Sequence, residues 1–340
     1  MRKRILAMFA VVMLVLTGCG KTPPPQTEEM PPSEETQVQK QVPSEADLFL
    51  EKYVNTDARP IAVMVDNDNK QARPQAGMED AYLIYEMVVE GGATRFMALY
   101  RNTDTAKIGP VRSSRHYFLN YALENDAIYT HYGWSPKAME DIPALGVKNI
   151  NGVEGGSDIF WRERKFAGDW HSAYTSMENI KNKAENWGYK LTTTRENGLV
   201  YGDETTAPQA DLTAETVSLR YSSAYRTGYT YNAQTGLYEK TIFESPHKMQ
   251  SGAVLSFKNV LVLYVSDGPL GDGSDRREVY TTGSGKGYYI SGGAAEEITW
   301  SKASRGADTV LTKADGTPLK IYPGKTIVNL ISPGIGADIE

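Results

Sequence analysis

Three apolar runs set close together constrain this chain more than any other feature: Ile61–Val65, Tyr82–Val89 and Phe96–Tyr100. They are rich in β-branched and aromatic residues and end on turn signals such as Asp66-Asn67 and Gly91-Gly92, so they read as buried strands of one sheet. A shorter run, Ile108–Val111, leads into Arg112-Ser113-Ser114-Arg115. There Ser113 and Ser114 stand where a helix N-cap would, and His116–Asn125 supplies the helix. A helix start leaves four amide N–H groups unpaired, and with Arg112 and Arg115 beside them the segment is a candidate anion site.

The chain after this unit first continues as mixed α/β. Ser135-Pro136 opens a helix that stops by Gly146, and Thr175 or Ser176 caps another that runs to about Trp187 and closes at Gly188. Between them, residues 149–173 hold Gly, Asp, two Trp and two Arg with no sustained period, which predicts a long loop of the binding kind. From about residue 205 the texture changes to strands: Thr216–Tyr221, a hairpin of Tyr229–Tyr231 with Leu237–Lys240, a buried run Phe257–Val265, then Glu278–Thr282, Gly287–Ile290, Glu297–Trp300, Leu319–Tyr322 and Thr326–Leu330. The expected fold is therefore α+β, or mixed α/β. A mixed-sheet α/β domain over residues 47–200, with a short helix at Asp47–Val54, precedes a mainly antiparallel β domain over 205–335. Gly283-Ser284-Gly285-Lys286-Gly287 lacks the spacing of a phosphate loop and the Ser or Thr after its Lys, and is expected to be a hairpin turn.

The amino-terminal end reads as an address. Arg2, Lys3 and Arg4 precede the apolar run Ile5–Leu16, and Leu16-Thr17-Gly18-Cys19 matches a lipoprotein processing site, so residues 1–18 are expected to be removed and Cys19 to carry the lipid. The run is shorter than the roughly 20 residues that span a bilayer. Cys19 is the sole cysteine, so no thiol is left for disulfides, metal binding or nucleophilic catalysis. Residues 19–46 are dominated by Pro, Glu, Gln, Ser and Thr and are expected to form a disordered tether holding the folded part at the outer face of the cell membrane. Loss of the leader carries the formal charge from −6 to −9, which excludes non-specific nucleic-acid binding, since that rests on a positive field.

Few residues point to chemistry. His116, His131, His171 and His247 are scattered without metal-ligand spacing, and no G-x-S-x-G elbow is present, so no cofactor is implied. The arginines stand apart. Arg95 opens a strand, Arg112 and Arg115 flank the expected helix start, and Asp66 ends the first strand; such strand-end positions converge on one edge of an α/β sheet, where ligands bind. Guanidinium forks suit phosphate or carboxylate, and Arg95, Arg112, Ser113, Ser114, Arg115 and His131 form the candidate binding set. The alternative is that these arginines pair with Asp66, Glu86 and Glu90 and serve the fold.

The segments RPIAVMVDN, EDAYLIYEMVVEGGATRFMALY, IGPVRSSRHYF and DAIYTHYGWSP, with YTYNAQTGLYEK, FKNVLVLYV, GKGYYISGG and DGTPLKIYPGKTIVNLI downstream, resemble both domains of the DUF3048 family, the YerB-like bacterial lipoproteins. The resemblance covers about residues 59–332 and implies no particular activity. One departure is that His247 is followed by Lys248 and Met249, where the family pattern has an Asp shortly after the His. TRFMALY, IGPVRSS and YTHYGWSP are also distantly similar to LytR-CpsA-Psr phosphotransferases, which implies pyrophosphate held by arginines and a metal held by aspartates. Here the acids expected beside the first and second arginines are missing. Two readings follow. One is a non-catalytic, membrane-anchored binding protein for an anionic envelope ligand or a membrane protein. The other is a transferase or hydrolase acting on a lipid-linked or wall phosphate with a divalent metal, using Asp66, Arg95, Arg112 and Arg115.

Overall fold

The computed structural model describes residues 42–68, 70–203, 206–208 and 212–340. The leader, Cys19 and the tether as far as residue 41 lie outside these residues. The three apolar runs form β1 (Ile61–Asn67), β2 (Leu83–Val88) and β3 (Thr94–Tyr100), and every residue of the three is buried. β2 and β3 pair antiparallel from Leu83↔Leu99 to Val88↔Thr94, and β3 pairs antiparallel with β1 so that Asp66 lies opposite Arg95. β4 (Ile128–His131) and β5 (Asn149–Asn151) extend the sheet in parallel on the β1 side.

The helices follow their caps. In α1 (Glu45–Phe49) Ser44 and Asp47 form a reciprocal capping box, and the chain continues as a π turn over Leu50–Val54. Next comes α2 (Leu119–Glu124); then Ser135 caps α3 (Pro136–Ala144) through the Ala138 N–H, and Ser176 caps α4 (Met177–Asn186) through the Asn179 N–H.

The second region supplies β6 (Thr216–Arg220), β7 (Arg226–Asn232), β8 (Leu237–Ile242), β9 (Asn259–Tyr264), β10 (Gly283–Ser291), β11 (Ala294–Lys302), β12 (Val310–Lys313), β13 (Thr326–Ile331) and β14 (Ala337–Ile339). The main sheet runs in the order β12-β11-β10-β9-β13-β2-β3-β1-β4-β5, and β13 lies parallel to both β9 and β2. The regions before and after residue 205 thus share one sheet, within one compact unit, Pro43–Glu340. A second, antiparallel sheet, β8-β7-β6-β14, packs against the first: the Tyr221 and Tyr229 hydroxyls donate to Asn329 Oδ1 on β13 at 3.0 and 2.7 Å. Beside them Lys240 on β8 donates to Glu86 on β2 at 2.8 Å, with both side chains fully buried. Removing either partner of this pair would strand the other charge in a low-dielectric interior.

Two local expectations change. Gly283–Gly287 is the first part of β10, not a turn. Glycine is needed there for close approach, since a Cβ on Gly287 would lie 2.3 Å from Val262 O and one on Gly285 would lie 2.7 Å from Trp300 Nε1. Leu319–Tyr322 is no strand; its contribution is an isolated bridge from Ile321 to Tyr201.

Candidate functional site

The Arg112–Arg115 segment does not start a helix. Val111 bridges to Val65, Arg112 N–H donates to Met64 O, and Ser114 N–H donates to Gly133 O, so the segment lies extended beside β1 and the end of β4. With those amides used, α2 begins only at Leu119, six residues long, and its N-cap Phe118 makes no side-chain bond. The serines are not caps either: Ser113 Oγ donates to Tyr132 O at 3.0 Å, and buried Ser114 Oγ accepts from Tyr129 Oη at 2.9 Å. The expected anion site at a helix start is therefore not formed, because the segment is extended, with its Arg112 and Ser114 amides bonded to Met64 O and Gly133 O, and the helix begins only at Leu119.

The arginines nevertheless gather. Asp66, fully buried at the end of β1, meets Arg112 Nε at 2.9 Å and His171 Nδ1 at 2.6 Å through Oδ2, while its Oδ1 accepts from Asp68 N–H at 3.1 Å. Burial opposes ionisation of this carboxyl, but the His171 bond and the charges of Arg112 and Arg95 outweigh it and hold its pKa below the ordinary value. Arg95, opposite Asp66 on β3, is buried and donates to Ser113 O. Burial, with repulsion from Arg115 and Arg112, brings its pKa down to about 10. Arg115 forms a bidentate pair with Glu90, 2.6 Å from Nε and 2.7 Å from Nη2, and gives Nη1 to Ser114 O.

Three guanidinium groups thus face two carboxylates. The balance is positive, and two donors are left over. Arg95 Nε and Arg112 Nε are buried without a hydrogen-bond acceptor among the described residues; the contact from Arg112 Nε to Asp66 is an ion contact whose angle does not make a hydrogen bond. Arg115 is consumed by Glu90, whereas the Arg112 side chain stays 25% exposed and has no partner other than Asp66 among the described residues. Arg112 is the solvent-facing member of the cluster.

His131 does not belong to a binding surface. It is fully buried at the end of β4, where Nδ1–H donates to Gly133 O at 2.7 Å and Nε2 accepts from Asn149 at 3.1 Å. Desolvation holds this neutral form and lowers its pKa to about 4. Glu86 pairs with Lys240 and not with an arginine. Residues 149–173 are tied at their far end by a two-residue ladder, Trp161–Arg162 with Ala173–Tyr174, and they bring His171 onto Asp66. His171 was missed in sequence because its partner lies 105 positions away; the local clue was Asp169, whose Oδ1 accepts from His171 N–H in an Asx turn. Among the described residues no group of three His, Cys, Asp or Glu side chains is placed to hold a metal ion.

Two family models match this chain: the amino-terminal domain described as "Protein of unknown function (DUF3048)" over residues 50–190, and the corresponding carboxy-terminal domain over 217–328. YerB of Bacillus subtilis (strain 168), which carries a lipoprotein name, is 30% identical over 282 residues, covering 81% of this chain and 82% of that protein. The crystal structure of YerB from Bacillus subtilis matches with a TM-score of 0.74 at 29% identity, over 84% of this chain and 94% of that one.

Proposed function

The chain belongs to the DUF3048 family, and we propose that it is a lipid-anchored extracytoplasmic binding protein that holds an anionic envelope ligand against Arg112 without turning it over. The lipoprotein name of its relative and the Leu16-Thr17-Gly18-Cys19 motif support the anchor. Among the described residues no helix is long and apolar enough to cross a membrane.

The observation that carries the binding reading is the Arg112 side chain, 25% exposed, in a cluster with more guanidinium than carboxylate. A phosphate or carboxylate seated on the exposed part of this guanidinium would gain charge-assisted hydrogen bonds. The catalytic alternative asks Asp66 to hold a metal or a proton. Its Oδ2 is engaged by His171 and Arg112, its Oδ1 by the backbone, and its depressed pKa makes it a weak base. Trp170, next in the chain to His171 and 73% exposed, offers an apolar surface for the non-ionic part of a ligand.

Equilibrium dialysis of the full chain against a short polyprenyl pyrophosphate tests this reading. Stoichiometric retention of intact ligand, lost in Arg112→Ala, is the expected result. Release of inorganic phosphate, with or without added Mg2+, would favour the enzyme instead.

A further inference from the structure

The tip of the 149–173 segment carries a different chemistry. From Glu163 to Gly168 every residue is exposed, and the two large rings of the stretch are exposed with them, Phe166 to 46% and Trp170 to 73%. A tryptophan is ordinarily well buried, so a ring this open on a folded protein marks a surface that something covers. Trp170 immediately precedes His171, which shares Asp66 Oδ2 with Arg112 at 2.6 and 2.9 Å. The open rings thus lie in the chain next to the arginine cluster.

The tip is held by hydrogen bonds. Buried Asp169 gathers it from both sides: Oδ2 accepts from the Lys165 N–H at 3.0 Å, Oδ1 accepts from the His171 N–H at 2.9 Å, and the Asp169 N–H donates to Phe166 O at 3.3 Å. Ser172 Oγ closes the base by donating to Asp169 O at 2.7 Å, and Gly168 takes the positive φ of the turn, +78°. Phe166 and Trp170 are therefore presented on a fixed frame. Little ordering entropy remains to be lost when they are covered.

The free charge around the rings is positive. Glu163 is taken by Lys107 at 2.6 Å and by Trp161 Nε1 at 2.9 Å. Lys165 Nζ meets the carbonyl oxygens of Gln71 at 2.7 Å and Arg73 at 3.4 Å, and no carboxylate among the described residues. Exposed Arg164 has neither an ion pair nor a hydrogen bond among them. Open aromatic rings flanked by free cations suit a bilayer interface, where rings sit at headgroup level and cations meet lipid phosphate. The described chain begins at Val42, 23 residues after Cys19. That length of chain spans about 80 Å when fully extended, so the proposed anchor keeps a bilayer within reach of the fold.

We propose that Phe166 and Trp170 dock into the interface of the bilayer that carries the anchor, with Arg164 and Lys165 against lipid phosphates. The anchor makes docking an intramolecular step, so two rings and two cations suffice where an untethered protein would need a larger apolar face. Docking brings the Asp66–Arg112 cluster to headgroup level. The pyrophosphate of a lipid-linked ligand lies at that level, and its prenyl chain lies in the layer that receives Trp170. The proposal rests on the lipid anchor and not on ligand binding at Arg112, which can fail without it.

Fluorescence quenching on vesicles tests it. Cys19 is the sole cysteine, so the chain from Cys19 onward can be coupled through its thiol to vesicles of phosphatidylglycerol, brominated phosphatidylcholine and a maleimide lipid. The coupling supplies an anchor whether or not a cell lipidates Cys19, which separates failure of docking from failure of the anchor. Bromine atoms on the acyl chains quench a tryptophan that enters the bilayer. Quenching is expected in the wild type, is lost in Trp170→Phe, and is kept in Trp187→Phe, which removes the next most exposed tryptophan. Positions 164 and 170 are exposed, so the variants keep the fold. Arg164→Gln is expected to lower the ratio of docked to undocked protein about fivefold, from about 1 kcal/mol per cation at an anionic surface. Absence of quenching in the wild type, quenching that survives Trp170→Phe or disappears in Trp187→Phe, or a docked fraction indifferent to Arg164→Gln overturns the proposal.

Discussion

Acidification should destabilise this protein through His131 well before its carboxylates titrate. The imidazole is fully buried, its neutral form has both nitrogens satisfied, and its pKa falls to about 4 against an ordinary 6.5. Between those values the unfolded chain binds a proton at this site and the folded chain does not, so stability rises with pH. The contribution is fully present above pH 6.5 and is lost as pH falls towards 4. At 1.36 kcal/mol per unit, the loss is about 2 kcal/mol at pH 5 and about 3 kcal/mol at its limit. His116 and His247 also have lowered pKa values, both from burial, and act in the same direction. The His131 share is therefore read as a difference. Urea denaturation of wild type and His131→Asn at pH 7.5 and pH 5.0 should show the wild type losing about 2 kcal/mol more than the variant over this interval. Asn retains a donor for Gly133 O, so the variant folds. Equal losses in the two proteins would refute the reasoning. The lowered pKa of Asp66 acts only further down, as pH falls below the ordinary carboxylate range.

Lys240→Met leaves Glu86 as an uncompensated buried charge between the two sheets and should cost about 3–5 kcal/mol in chemical denaturation, whereas a loss under 1 kcal/mol would mean the pair is not what joins them. Cys19→Ala should move the protein from the membrane fraction to the soluble extracytoplasmic fraction; retention after a salt wash would remove the lipid anchor from the account.

The fold was legible where the chemistry is local. β1, β2 and β3 are apolar along most of their length because they are buried on both faces, and the helix starts at Ser135 and Ser176 are written in their capping residues. What escaped depended on distant partners. β13 was legible as a strand, but nothing in Thr326–Ile331 says that it slots in parallel between β9 and β2 and carries the sheet across both regions. The serines of Arg112–Arg115 look like helix caps to any local rule, and the competing amide acceptors, Met64 O and Gly133 O, lie 48 and 19 positions away in the chain. The arginine cluster was legible as residue types at strand ends. Its internal pairing, with Glu90 taking Arg115 and His171 sharing Asp66, is a property of the assembled sheet and the loop over it.

The most direct test of the central claim is a thermal melt of wild type and Arg112→Ala, each with and without pyrophosphate. In the variant Asp66 keeps its His171 bond and the field of Arg95, so the substitution should cost only about 1–2 kcal/mol and leave a folded protein. Pyrophosphate at a hundredfold excess over its Kd should stabilise the wild type by about 2.7 kcal/mol and leave the variant's Tm unmoved. A variant that is unfolded at 25 °C, together with a wild-type Tm that no phosphate raises, would mark Arg112 as a structural ion-pair partner and contradict the binding site proposed for it.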